Sequence, residues 1–338
     1  MNDLKTALID ALPVFEQQVS KSFSLTDMAD LTWQHGENTF ILGKLVKTDR
    51  FFYPEIQLVD LADISDDHKT KIHQRLGTWY EEYLTKHLSC IISLQTVELP
   101  EKPKAIAQSI YDHAGLILRE AHKEAIKALD KDERQSLGKL GVRIGAYYIY
   151  QRDMLKPAAM RLKSILWRLT HNNIDTIYKL PQDGNVSMPV PAESNAEFYQ
   201  AVALPIFGKA CVRVDMIERL NSAIFDGAVE GKYKFDPALA STLGVSVEMI
   251  QSILHELGFP FEDKTEGEGE AAKSVRYYTL KKRKTADKPQ KPKSDKPAFK
   301  KTVTKNRKAA KPAEQPSRPS APRGYSAFAG LQALKDRQ

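Results

Sequence analysis

Apolar side chains at Leu4, Leu8, Ala11, Leu12, Phe15 and Val19 recur at helical spacing, which predicts a helix over residues 2–23 with Pro13 as a kink. The period then changes. Short apolar runs at Thr39-Phe40-Ile41-Leu42, Phe51-Phe52-Tyr53 and Ile56-Gln57-Leu58-Val59 alternate with turn signals at His35-Gly36-Glu37-Asn38 and Lys47-Thr48-Asp49-Arg50. They predict a small three-stranded antiparallel β meander over about 31–60, with Pro54 placing its last strand at an edge or a bulge. Ser65 followed by Asp66 and Asp67 is a helix start, with acid at the positive end of the helix dipole. That helix is expected to run to about His87, and Leu88–Gln95 reads as a short buried helix or strand. Pro103 opens an amphipathic helix to about Leu129 through Ile106, Ile110, Ala114, Ile117 and Ala121.

The β-branched, aromatic, glycine-punctuated segment Lys139–Tyr150 is expected to be extended. Pro157 then starts a helix whose Ala159, Leu162, Leu166 and Leu169 share one face, while Arg161 and Arg168 share another that is either phosphate-facing or simply solvated. From Val214 the pattern reads helix to Ala228, short helix from Asp236-Pro237, turn at Gly244-Val245, and a third helix capped by Ser246 and closed at Gly258. Phe259-Pro260-Phe261, an acidic glycine-containing loop from Glu262 to Glu270 and a strand over Val275–Leu280 follow, read as a two-stranded hairpin. That order is the order of a winged helix. Its third helix offers Glu248, Gln251, His255 and Glu256 and no Lys or Arg, so direct groove reading by it is not expected. The fold class is mainly α with one small β meander and a winged-helix-like C-terminal module, divided as 1–135, 136–205 and 206–280, with a disordered basic tail over 281–338.

Charge sharpens the last boundary. The 338 residues carry 50 Lys+Arg and 43 Asp+Glu, a net +7, but residues 281–338 hold 18 basic against 4 acidic residues, a net +14. The preceding 280 residues are therefore net −7. The tail also contains seven prolines and only Phe299, Tyr325 and Phe328 as aromatics, too little apolar surface to offset the entropy of ordering. A polycation of this kind binds phosphate backbones through counterion release, without reading sequence; the alternative is a solubilising spacer.

Enzymatic motifs are absent. Gly43-Lys44, Gly138-Lys139, Gly208-Lys209 and Gly231-Lys232 are followed by Leu, Leu, Ala and Tyr, so no GxxxxGK[ST] phosphate loop exists. Neither a GxSxG elbow, an HExxH pair nor a CxxC occurs. His68 and His73 are five apart, off the spacing for two ligands on one helical face, and the remaining histidines are scattered, so no metal site is expected. Cys211 sits among apolar neighbours as a small buried side chain, and with Cys90 it makes no disulfide framework, which suits a reducing compartment. With neither a signal-peptide pattern nor an apolar run of membrane-spanning length, a soluble cytoplasmic protein is expected.

Residues 137–169 carry a longer pattern, with Leu140-Gly141-Val142-Arg143-Ile144-Gly145, Leu155-Lys156-Pro157, Arg161-Leu162 and Leu166-Trp167. Phe207-Gly208 with Val212-Arg213-Val214-Asp215-Met216-Ile217-Glu218-Arg219-Leu220 follows, then Leu243-Gly244-Val245 with Ile253–Phe259. A basic tail ending in Tyr325-Ser326-Ala327-Phe328-Ala329 through Leu334-Lys335 completes the series. In this order the stretches resemble the region downstream of the helicase core in alphaproteobacterial relatives of the mitochondrial degradosome RNA helicase, which are superfamily-two, ATP-dependent enzymes. The resemblance runs from about residue 130 to the C-terminus. The family's two RecA-like motor domains have no counterpart here, so no catalytic residue and no cofactor is assigned to this chain; ATP and Mg²⁺ would come with a separate motor subunit. The resemblance implies an accessory RNA-binding region, with RNA favoured over DNA. Phosphate contacts would be Lys281, Lys282, Arg283, Lys284, Lys300, Lys301, Arg307 and Lys308, with Arg143, Arg161 and Arg168 as secondary candidates. The alternative is a protein–protein adaptor in an RNA-processing assembly, its apolar anchors being Tyr325, Phe328, Leu331 and Leu334. No membrane partner is expected.

Overall fold

The computed structural model describes residues 2–15, 20–60, 64–266 and 273–280. The chain divides into two units, Met1–Arg283 and Lys284–Gln338. The tail contacts named above, from Lys281 to Lys308, and the Tyr325–Leu334 anchors lie outside the described residues.

Helix α1, Asn2–Phe15, buries Leu8, Ala11, Leu12 and Phe15. It is shorter than its apolar spacing predicts, because Phe23 is claimed by a strand. The four strands β1 Phe23–Leu25, β2 Asp30–His35, β3 Asn38–Val46 and β4 Glu55–Leu58 form an antiparallel meander in sequence order. Phe15 meets Phe23 and Trp33 edge-on at 5.6 and 4.9 Å, tying helix to sheet. The turn at Gly36 lies where the sequence places it, with a positive φ of 59° that glycine adopts freely. The meander has four strands instead of three, and Phe51–Tyr53 is a turn, not a strand. Thr48 Oγ1 donates to the Tyr53 carbonyl and Tyr53 N to the Arg50 carbonyl, while buried Phe52 anchors the loop. The last strand, following Pro54, is at the sheet edge.

Helix α2, Asp66–Thr96, begins with Ser65 Oγ accepting from His68 N and continues unbroken for 31 residues. The expected break near His87 does not occur because Leu84, Leu88, Ile91 and Leu94 extend the buried stripe of Ile72, Leu76 and Tyr80. The opposite correction applies next: the helix expected to reach Leu129 stops at Asp112. In α3, Glu101–Asp112, the chain leaves the helix through Ala114 (φ 52°) and Gly115 (φ 103°), and Gly115 N donates to the Ile110 carbonyl at 2.7 Å. A Cβ at Gly115 would stand 2.5 Å from Met154 Sδ, so tertiary packing as well as dihedral requires glycine. The turn frees β5, Leu116–Leu118, for a sheet ordered β5-β7-β6 with the hairpin β6 Val142–Ile144 and β7 Tyr148–Gln151. This hairpin realises the extended character read over 139–150. Helices α4, Lys123–Ala128, and α5, Lys131–Lys139, lie between, the latter opened by an Asp130–Glu133 capping box.

Helix α6, Pro157–Thr170, has proline in its first turn and buries Ala159, Leu162, Leu166 and Leu169 as expected. A third sheet has the order β8 Ser187–Pro189, β10 Ala210–Val212, β9 Ile206–Phe207, with α7, Ala196–Ala201, between β8 and β9 in the chain. Last come α8 Val214–Asp226, β11 Lys232–Lys234, α9 Leu239–Leu243, α10 Val247–Glu256, β12 Phe261–Glu266 and β13 Lys273–Thr279, with sheet order β11-β13-β12. Strand β11 is an addition to the predicted hairpin. The largest apolar cluster draws buried side chains from Leu8 through to Tyr278, so the segments share a core. Among the described residues no helix is long and apolar enough to cross a membrane.

Candidate nucleic-acid interface

Arg161 and Arg168 lie on one face of α6, as their spacing requires, and both line a cleft of about 320 Å³ walled by the loop that follows the helix. Arg168 is neither solvated nor part of an open stripe; it is 1% exposed. Its guanidinium donates to the carbonyls of Ser164 (3.3 Å), Ile174 (3.1 Å), Thr176 (3.3 Å) and Asp27 (2.6 Å). A planar fork of donors suits this task, because it satisfies carbonyls from three separate segments at once. Burial lowers the Arg168 pKa, opposed by the Asp27 carboxylate and Tyr178. Arg161, nearer the mouth, donates to Asp183 Oδ1 at 2.6 Å across the cleft.

Two further cations line the same space; Arg213 belongs to a stretch singled out above for its resemblance and not as a phosphate contact, and Lys179 carries no distinguishing pattern. Arg213 makes a two-pronged pair with Asp215 at 2.7 and 2.9 Å, and Lys179 is exposed on the loop. They reach the cleft from separate segments, one preceding α8 and one following α6, so no local period announces them. Arg143 is exposed on β6, an edge strand, and does not line this cleft.

Four cations of the C-terminal sheet, Lys232, Lys234, Lys264 and Arg276, are already answered. Lys232 and Lys264 reach Glu262 at 2.5 and 3.3 Å, Lys234 reaches Glu266 at 2.6 Å, and Arg276 grips Asp263 through two bonds of 2.7 and 2.8 Å. The Asp263 carboxylate holds the Arg276 pKa above its ordinary value, and Arg276 in turn holds Asp263 below the usual carboxylate range. Such exposed pairs add little stability, but each cancels a charge that a phosphate would otherwise feel. Helix α10 exposes Glu248, His255 and Glu256.

The family-like stretches meet in space. Glu218 of α8 accepts from the backbone N–H groups of Ala146, Tyr147 and Tyr148, the latter two at 2.9 Å, and so caps the turn between β6 and β7. Gly145 lies directly against that carboxylate, leaving no room for a side chain. Gly208 is packed in the same way against Ser252 of α10, and Ser187 Oγ donates to the Gly244 carbonyl at 3.1 Å. These residues join the hairpin, the third sheet and the C-terminal module, which is structural work instead of chemistry.

Buried titratable groups lie elsewhere. Lys163 of α6 is 1% exposed, with Met154 Sδ at 3.5 Å as its polar contact, and burial lowers its pKa to about 7. Burial likewise pushes the Cys90 and Cys211 thiols up to about 11, away from thiolate reactivity. Among the described residues no group of three or more His, Cys, Asp or Glu side chains is placed to hold a metal ion. No family model, curated protein or solved structure matches the chain.

Proposed function

We propose that this chain is an accessory, non-catalytic RNA-binding region of the degradosome-helicase type, acting in the cytoplasm beside a separate motor chain that supplies ATP and Mg²⁺. The observation that carries the reading is the separation of charge. Lys232, Lys234, Lys264 and Arg276 of the C-terminal sheet are paired and α10 exposes acid, whereas residues 281–338 carry a net +14. Non-specific affinity for a phosphate backbone therefore belongs to the tail, through Lys281, Lys282, Arg283, Lys284, Lys300, Lys301, Arg307 and Lys308. Arg161 and Arg143 add body contacts, while Arg168 shapes the cleft from within.

Residues 214–280 are read as a winged helix used for packing. The order helix, strand, helix, helix, strand, strand and the sheet order β11-β13-β12 support that reading. The packing of the family-like stretches against one another, through Glu218 and Gly208, supports the kinship by giving their residues a shared structural reason. The test replaces those eight tail cations by Gln in the full chain and measures single-stranded RNA binding at fixed salt. A large loss of affinity is expected, and unchanged affinity overturns the assignment. One observation favours a second reading, a protein–protein adaptor: α10 turns Glu248, His255 and Glu256 outward, a surface suited to a basic protein partner. Partner capture that survives removal of Tyr325, Phe328, Leu331 and Leu334 would place that activity on the body instead of the tail.

A further inference from the structure

We infer that the cleft beside α6 is a binding site for a phosphate-terminated nucleotide, either free or at the end of a strand. The inference does not depend on the tail or on the helicase kinship. The cleft measures about 320 Å³ and opens on one side to solvent, room for one nucleotide but not for a strand lying along it. Its lining carries four cations, Arg161, Arg168, Lys179 and Arg213, against the carboxylates Asp27 and Asp183 and against Asp215, which answers Arg213, an excess of one positive charge. An excess of positive charge favours an anion such as a phosphomonoester.

The charge is also placed to act. Arg168 is buried on neutral carbonyls, so it contributes a fixed positive charge in a region of low dielectric, where its field on a ligand is strongest. Lys179, exposed on the loop that follows α6, adds a second cation to the lining. Arg161 holds the Asp183 carboxylate across the opening at 2.6 Å. A carboxylate held by a guanidinium has the geometry of a phosphate held by one, and both partners are about half exposed, so an arriving phosphate displaces Asp183 at low cost. Ile177, 59% exposed, and Met160 supply apolar wall for a base.

The experiment titrates the full chain by calorimetry with uridine 5′-monophosphate, with uridine, and with a short single strand carrying either a 5′-phosphate or a 5′-hydroxyl. The monophosphate binds and uridine does not. Arg161→Ala weakens binding by about tenfold or more, and Asp183→Asn tightens it several-fold, since it removes a competing carboxylate. Opposite signs at the two partners of one ion pair exclude a merely structural effect, which would move both variants the same way. Preference for the 5′-phosphorylated strand, abolished by Arg161→Ala, places the ligand at a strand end; binding of the mononucleotide with no strand preference places it free in solution. Equal heats for monophosphate and uridine overturn the inference, as do variants that leave affinity unchanged or shift it in one direction. Loss of the 5′-hydroxyl strand alone reports on the tail, so the two readings fail separately.

Discussion

Replacing Lys163 by Met removes the one buried lysine among the described residues. Lys163 is 1% exposed, and its ammonium has Met154 Sδ at 3.5 Å, a weak acceptor. Cys90, whose thiolate would favour the charged lysine, stays a neutral thiol below about 11. Burial therefore lowers the lysine from its ordinary 10.5 to about 7. At ~1.4 kcal/mol per pH unit, a charged Lys163 costs the fold on the order of 5 kcal/mol. Below pH 7 lysine is protonated in both folded and unfolded chains, and the full cost is present. Between about 7 and 10.5 the unfolded chain binds the extra proton, so this contribution to stability rises with pH and the cost disappears above the upper value. Methionine has a similar length, carries no charge, and fits an apolar site. Lys163→Met should raise stability by about 2–4 kcal/mol near pH 7, with relaxation of the core accounting for the shortfall from the full cost. The gain should shrink steadily toward pH 10.5. Urea unfolding of both proteins across this pH range measures the difference, which cancels the titration of all other groups. A variant no more stable than the parent at pH 7, or a gain that does not vary with pH, refutes the reasoning.

Other expectations follow from individual contacts. Glu218→Ala orphans three backbone N–H groups at the β6–β7 turn and should cost about 2–4 kcal/mol in thermal unfolding, with Glu218→Gln losing less; an Ala variant within about 0.5 kcal/mol of the parent contradicts the capping role. Cys90 and Cys211, with pKa values pushed up to about 11, should be alkylated slowly at pH 8 in the folded chain and readily in denaturant, and fast native labelling would show the thiols to be accessible thiolates.

What was legible in the sequence was local chemistry. Ser65 and Ser246 cap helices through hydroxyls three residues from their partners, Pro157 begins one, and Gly36 turns a hairpin; each signal acts within one turn of chain. What failed depended on distant residues. The stop of α3 needs Met154 and Ile91 against Gly115, and Phe51–Tyr53 has strand composition but serves as a plug beneath Tyr80, whose hydroxyl donates to the Phe52 carbonyl. The unbroken α2 hid behind a change from charged to apolar composition at Leu88, although its buried spacing never lapsed. The cleft was half visible: Arg161 and Arg168 share a face by spacing, but the burial of Arg168 depends on the Asp27 carbonyl, 141 residues away. Asp183, Lys179 and Arg213 enter from loops whose course no periodicity sets.

The central claim is that the tail carries the affinity for nucleic acid. It is tested most directly by the salt dependence of single-stranded RNA binding, measured for the full chain and for one lacking residues 281–338. Each phosphate neutralised on a single strand contributes about −0.7 to the slope of log K against log salt. If half of the 18 tail cations engage the strand, deletion should flatten the slope by about 6 and weaken binding strongly at low salt. Equal affinity and equal slope for the two chains would contradict the account.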